Sequence, residues 1–390
     1  MKINKTSPKH WIALFRFTIT VIIGLVIRKF TKPPATHTII LYGHKLNGNL
    51  KALYNYISEN HLTDIQTVFI TIDSDYSHQL NISGVKSANA NHLKTAKLIA
   101  ETTCVISDHG LHSLELALYF SNIKFIDVWH GIPFKGFDEK DFRVQRKYTK
   151  IFVPSSFIAQ LYTEKYGFKR ESLIPTGYAR TDALYNQYED INALKYHLNI
   201  AQDKIVILFA PTWRQDHKKR SIFPFNQTEE HFFNALDIFC EKNNALIIVR
   251  THLNSKQKKL KQYNNLIPCP HSTYPDTESI LLISDMLICD WSSIAFDYLC
   301  LNRPTVFLDV QPPFTKGLSL DGSFRYGEVV KSLPELIFSL TSFIRNDTLY
   351  NQKYGIASKT ITNKIYGNKL DGNSSKRCYE ALIELIAKTM

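Results

Sequence analysis

No acidic residue occurs before Glu59, whereas Lys2, Lys5, Lys9, Arg16, Arg28, Lys29, Lys32, Lys45 and Lys51 all do. Those cations carry most of the net charge of +12. A nucleic-acid binder spreads its positive charge over a folded face, so this one-ended excess argues against nucleic acid as a partner. Cysteine is sparse: Cys104, Cys240, Cys269, Cys289, Cys300 and Cys378 form no CxxC pair and show no metal-ligand spacing. They read as buried, reduced thiols of a cytoplasmic protein, with no metal site among them. The loops GxGxxG and GxxxxGKS/T are both missing, which removes the simplest NAD and P-loop readings.

What is present suits a folded chain of two domains. The 390 residues exceed one ordinary core, and 44% hydrophobic with 12% aromatic residues is too apolar for disorder. Residues 11–27 are apolar apart from Arg16 and scattered Thr and Gly, between basic clusters. This run sits at the lower limit for a membrane span, and no small-residue cleavage site follows it. Three readings stand: a helix packed on its own domain, an interfacial anchor drawn to anionic lipid, or a single span. The expected division is 1–34 for this membrane-associating segment, 35–190 for an N-terminal Rossmann-like domain and 191–390 for a C-terminal one.

After Pro33-Pro34, strand and helix alternate. β-rich runs at 38–42, 67–72, 103–107, 124–128 and 151–154 are separated by helix-compatible stretches at 46–58, 92–101 and 113–120. A polar helical stretch near 182–200 precedes a second series. Its strands are expected at 205–210, 245–249, 286–289 and 305–308, its helices at 229–242, 278–284 and 293–301. The fold class is therefore α/β, two doubly wound Rossmann-type halves facing a cleft.

Ligands of open parallel sheets bind beyond the carboxyl ends of the strands, so polar residues following apolar runs are the candidates. His130 follows the run ending near Val128 and precedes Gly131, Pro133 and Lys135. An imidazole there suits a base for a hydroxyl proton. In Gly177-Tyr178-Ala179-Arg180-Thr181-Asp182, the glycine allows a tight turn, and Arg180 either enters the cleft or pairs with Asp182. Thr212 and Arg214 follow the strand ending at Ala210, and guanidinium donors fit phosphate oxygens. Arg250 and His252 follow the strand ending at Val249, where they suit a diphosphate. Asp290 ends a buried strand just before Ser292 and Ser293, which open a helix carrying Asp297. That helix start offers free N–H groups and two hydroxyls to an anion, unless Ser292 serves as a plain N-cap.

The order of these segments is more specific than any one of them. The series WHGIPFK, PTGYARTD, APTWR, RTH and SDMLICDWSSIAFDYLCLNRP resembles the CDP-glycerol glycerophosphotransferase family of teichoic acid synthesis. Asp371-Gly372-Asn373-Ser374-Ser375-Lys376-Arg377 resembles that family's closing DG…R element. The resemblance implies a GT-B-like fold with the CDP donor on the C-terminal domain and a lipid-linked or polymer acceptor. It implies His130 as base, His252 supporting phosphate, Ser292 and Ser293 on the donor phosphates, CMP as leaving group and no cofactor beyond the CDP-glycerol donor. The expected place is peripheral, on the cytoplasmic face of the cell membrane, in teichoic acid or capsule-type polymer synthesis. Two departures stand out. Leu253 replaces a proline common after the second histidine, and residues 317–328 replace a proline-rich segment. CDP-ribitol as donor therefore stays open, as does a GT-B glycosyltransferase using a nucleotide sugar.

Overall fold

The computed structural model describes residues 7–31, 36–60, 65–187, 190–212, 223–250, 263–270 and 274–387. They form two compact units, one of residues 1–130, 139–182 and 371–390, the other of residues 131–138 and 183–370.

The first unit is built on β1 (His37–Tyr42), β2 (Ile65–Thr71), β3 (Ser87–Asn89), β4 (Thr102–Ser107), β5 (Lys124–Asp127), β6 (Lys150–Val153) and β7 (Leu173–Pro175). Their order is β3-β2-β1-β4-β5-β6-β7, every pair parallel. Continuous runs such as Thr38-Ile39-Ile40-Leu41-Tyr42 are buried throughout, as a sheet covered on both faces requires. The second unit carries β8 (Ile205–Ala210), β9 (Ala245–Val249), β10 (Leu266–Pro268), β11 (Met286–Cys289), β12 (Thr305–Leu308) and β13 (Glu328–Val330). Here the order is β10-β9-β8-β11-β12-β13, again all parallel. In each sheet the chain works outward to one edge and then jumps back across its first strand. The crevices of such sheets lie at that reversal, between β1 and β4 and between β8 and β11.

The expected α/β class and the longer strands are all present. The three-residue edge strands β3, β7, β10 and β13 were not anticipated, being too short to show an alternation. The polar stretch near 182–200 forms two helices, Thr181–Asn186 and Ile191–His197. All six cysteines are free, and all but Cys300 are buried.

The domain limits differ from expectation at both ends. The C-terminal segment from Asp371 belongs with the first unit, not the second. Both carboxylate oxygens of Asp182 accept backbone N–H bonds from Ser374 (2.9 Å) and Ser375 (2.7 Å), which caps helix Ser374–Ala387. Arg377 donates to the Thr176 carbonyl at 2.7 Å and to Asp371 at 2.8 Å. Cys378, Leu382 and Ile386 then fill the core beside Ile39, Leu53 and Ile126. Gly177 takes φ +86, the expected tight turn, and a Cβ there would lie 2.2 Å from Ser374 Oγ.

Nor is the N-terminal segment separate. Helix Pro8–Phe30 packs along helix Lys94–Glu101 through Phe17, Thr20, Val21 and Gly24, four residues spaced along one face. A Cβ on Gly24 would lie 2.8 Å from the Ala96 carbonyl, so glycine lets the two backbones approach. Arg28 fastens the far end, donating to the carbonyls of Ala100 (2.8 Å) and Thr102 (2.7 Å) and to Asn122. The opposite face leaves Trp11, Ile12, Phe15, Ile22, Val26 and Phe30 exposed. The helix is long and apolar enough to cross a membrane by length and composition, yet one face is docked on its own unit.

Candidate active site

In the first unit the reversal between β1 and β4 gathers imidazoles and carboxylates. β1 is followed by Gly43 and His44, β4 by Asp108 and His109, and β5 ends in Asp127 shortly before Trp129 and His130. Trp129 takes φ +37, a conformation an indole-bearing residue adopts only when its surroundings enforce it. Three groups do so. Asp127 accepts the Trp129 N–H at 2.6 Å. Asn49, on the first turn of helix Gly48–Glu59, donates to the carbonyls of Val128 (2.7 Å) and Trp129 (2.9 Å). Arg180, itself buried, donates to the His130 carbonyl at 2.8 Å, and its backbone N–H reaches Asn49 Oδ1 at 3.1 Å.

His130 is thereby aimed. Its Nδ1 lies 2.9 Å from the Asp108 carbonyl, which can only accept, so Nδ1 carries the hydrogen and Nε2 presents a lone pair. Burial, then the neighbouring His109 and Arg180, hold the imidazole well below its ordinary range. The residue is nevertheless exposed at the surface of the unit, so its ring is open to a ligand. A neutral ring with an accepting Nε2 is the form in which histidine takes a proton.

Asp127 is the other unusual group. Burial raises its carboxyl to about 7, the Asp108 charge adds to the effect, and the Trp129 N–H opposes it. Its Oδ2 has no partner among the described residues. No strand-end carboxylate pair was anticipated, yet the register of β4 with β5 sets Ser107 opposite Asp127, and the charge of Asp108, the next residue along, is felt by Asp127. Among the described residues no three His, Cys, Asp or Glu side chains are grouped to hold a metal ion.

In the second unit the reversal between β8 and β11 is lined differently. Asp290, buried after β11, accepts both the backbone N–H (2.7 Å) and the hydroxyl (2.5 Å) of Thr212, tying the ends of β8 and β11 together. Thr212 and Asp290, expected to bind the donor, are thus bonded to each other. Asp297 is buried on helix Ile294–Leu299, which is three residues shorter than the expected 293–301. Ser293 holds the N-cap position without a side-chain cap bond, and no described residue bonds to the Ser292 hydroxyl. The plain-capping alternative therefore fails, and both half-buried hydroxyls are left for another partner. Arg250 follows β9, buried, donating to Thr277 Oγ1 at 2.9 Å and to Cys269 Sγ at 3.8 Å. Burial lowers its basicity.

Gly131 and Lys135 fall in this unit with residues 131–138. Lys135 is bridged to Leu318, and Gly136 N–H reaches the Gly317 carbonyl at 2.8 Å. A Cβ on Gly136 would lie 2.3 Å from the Lys316 carbonyl, so only glycine lets the 317 loop run this close. Phe134 packs edge-on against Trp291, the residue before Ser292. Arg214 and His252 lie outside the described residues, as do Leu253 and the basic run His217–Arg220.

Sequence reasoning picked out His130, Arg180, Ser292 and Ser293 and passed over Asn49, Asp108 and His109. A signal for the last two was available: Asp108-His109-Gly110 follows an apolar strand just as His130 does. Asn49 carries no such mark, since its role comes from a turn 79 residues away.

Two all-parallel units of this order, one bearing an aimed imidazole and the other uncommitted hydroxyls, define a GT-B-like α/β protein. Comparison with known sequences places it: the chain belongs to the CDP-Glycerol:Poly(glycerophosphate) glycerophosphotransferase family, matched over residues 24–384. It is 29% identical to the teichoic acid ribitol-phosphate polymerase TarL of Staphylococcus aureus, over 76% of this chain and 54% of that one. It is 25% identical to the teichoic acid glycerol-phosphate transferase of the same organism, over 88% of this chain and 91% of that one. Against the poly(glycerol phosphate) polymerase of Bacillus subtilis it is 28% identical but spans only 37% of that protein's length. The chain thus spans about half the length or less of two of these curated relatives. A solved structure of the wall teichoic acid polymerase TagF superposes with TM-score 0.75 at 20% identity, covering 97% of this chain and 95% of that one, a likeness of fold.

Proposed function

We propose that this chain transfers a polyol phosphate, glycerol phosphate first, from a CDP-linked donor to a hydroxyl of a lipid-linked or polymer acceptor, releasing CMP. The single observation that carries it is the His130 imidazole, its Nδ1 committed to Asp108 and its Nε2 presented as an acceptor on a strained, clamped turn. His130 Nε2 takes the acceptor proton while the hydroxyl oxygen attacks the β-phosphorus. The P–O bond to CMP breaks, and its electron pair leaves on CMP. On the donor side Ser292 and Ser293 supply hydroxyl donors and Arg250 supplies positive charge, with Arg214 and His252 carried over from the family resemblance. Such catalysis is positioning plus preorganised charge. The proposal includes no resident metal, so activity should survive EDTA.

The place of action is the cytoplasmic surface of the membrane. The outward face of helix Pro8–Phe30 is apolar, and Lys9, Arg16 and Lys29 lie along the helix to meet anionic headgroups. Because its other face is docked, the helix lies in the interface plane rather than crossing the bilayer. The relatives include both ribitol-phosphate and glycerol-phosphate enzymes, so CDP-ribitol is the second donor to try. Purified chain given CDP-glycerol, CDP-ribitol or a nucleotide sugar, with a hydroxyl acceptor and product masses read, tests the reading. Mass gain of one glycerol phosphate with CMP release supports it; a sugar-sized gain, or none, overturns it.

A further inference from the structure

The role given to His130 leaves a second imidazole unexplained. His109 stacks on His130 with ring centroids 4.3 Å apart and planes 9° apart. Both rings hang from one residue. His130 Nδ1 bonds the Asp108 backbone carbonyl, whereas His109 Nδ1 bonds the Asp108 carboxylate at 2.7 Å. Gly43, just past β1, makes room for that carboxylate, because a Cβ there would lie 2.8 Å from Asp108 Oδ1. His44 stands beside the pair, 4.7 Å from His109 between centroids.

Two stacked imidazoles are not both charged at low cost, and their surroundings divide them. Burial works to lower the basicity of His109, but Asp108, through charge and hydrogen bond, and Asp127 outweigh it and raise the group. His130 is held the other way. The groups facing His109 are Asp108 on its own loop, Asp127 and His130 from β5, His44 from β1, and His112. His112 is bonded to Tyr42 and held neutral, by burial first. Environments that push neighbouring groups apart mark a division of acid and base roles. The His109 side chain is 32% exposed, so its outer edge is open to a ligand.

Resting on the transfer reading above, we propose that His109, backed by the Asp108 carboxylate, binds a phosphate oxygen of the acceptor and so seats the attacking hydroxyl against His130. The acceptor chemistry fits. A chain already extended by one polyol phosphate ends in a hydroxyl a few carbons from a phosphodiester, an anion and a hydroxyl to be held by adjacent groups. His109 neither gains nor loses a proton in the step; the hydroxyl proton goes to His130 alone.

Asp108→Asn separates this role from that of His130, since the backbone carbonyl holding His130 is unchanged. With CDP-glycerol as donor, Asp108→Asn and His109→Gln should raise KM about tenfold or more for an acceptor ending in glycerol phosphate. Turnover should change only a few-fold, and KM for an uncharged primary alcohol should stay the same. In wild type kcat/KM for the phosphate-bearing acceptor should fall as pH rises through the His109 value, and that limb should move to lower pH in Asp108→Asn. A second readout needs no turnover: imidazole nitrogen shifts on adding glycerol 3-phosphate should show binding about tenfold weaker in both variants. Equal KM values and equal binding overturn the assignment. Wild-type binding of glycerol 3-phosphate without CMP release would instead overturn the transfer reading and leave this site standing.

Discussion

The two units share one strand order and put different chemistry at the same place in it. At the reversal of the first, β1 is followed by Gly43 and the neighbouring strands lead into Asp108, His109, Asp127 and His130. At the reversal of the second, β8 and β11 deliver Thr212 and Asp290, which bind one another, and then the two serines. The first gathers titratable side chains, the second hydroxyls and one bonded carboxylate. A doubly wound sheet prescribes only where loops converge; what they carry is set by a few residues past each strand.

The strongest test of that difference is His130→Ala. It should leave the fold intact, as the ring is solvent-reached and the turn is held by Asn49 and Arg180 through backbone carbonyls. Turnover should drop about 100-fold or more. Because the imidazole is held below its ordinary range, the acid limb of the wild-type rate profile should lie below about pH 6.5. A folded variant with near-wild-type turnover would reduce both reversals to scaffolding.

Asp127 sharpens the comparison, since the second unit's Asp290 has its partners and Asp127 lacks one. The folded carboxyl keeps its proton up to about 7, while the unfolded one releases it near 3.8. Between those values the folded state binds more protons, so stability contributed by this group falls as pH rises through that window. Asp127→Asn removes the titration. The stability difference between wild type and variant, from denaturant melts, should change by about 2–4 kcal/mol between pH 4.5 and 7.5, in favour of the variant at the higher pH. A constant difference would mean the carboxyl is not strained by burial.

On the second unit, Ser292→Ala with Ser293→Ala should weaken CDP-glycerol binding by about 1–3 kcal/mol, the range for hydrogen bonds to charged groups. Because neither hydroxyl caps a helix, melting temperature should barely move. Unchanged affinity by calorimetry would remove these serines from the donor site.

How much of this was legible follows from the range of each interaction. The long strands announced themselves as continuous apolar runs, and His130, Ser292 and Ser293 were singled out by their position past such runs. What was missed depends on partners distant in the chain. Asn49 acts on carbonyls at 128 and 129, and Asp182 caps a helix beginning at Ser374. Asp108 comes near Asp127 only because β4 pairs with β5, Ser107 lying opposite Asp127. The mutual bond of Thr212 and Asp290 is likewise not visible in their spacing. The N-terminal helix was read as docked, interfacial or spanning because composition shows an apolar run and not which side is covered.

That helix extends the contrast to the surface. In the first unit Trp11, Ile12, Phe15, Ile19, Ile22, Ile23, Val26 and Phe30 are exposed on one helix. Among the described residues of the second unit, the exposed large apolar side chains, Tyr196, Ile238, Phe338 and Ile356 among them, lie on separate helices and form no comparable stripe. The first unit alone should therefore hold the membrane. Its helix offers an internal control, because Phe15 and Phe17 point to opposite sides, 66% and 0% exposed. Phe17→Ala should cost about 3–5 kcal/mol of stability, the usual effect of emptying an aromatic site in a core. Phe15→Ser should leave the melt unchanged and weaken partition to anionic vesicles by about 1–2 kcal/mol, the apolar area it no longer buries. Salt should weaken the binding of both wild type and Phe15→Ser, because Lys9, Arg16 and Lys29 remain. If Phe15→Ser sediments with vesicles as wild type does, the outward face is not the membrane contact, and the helix is a docked element of the fold.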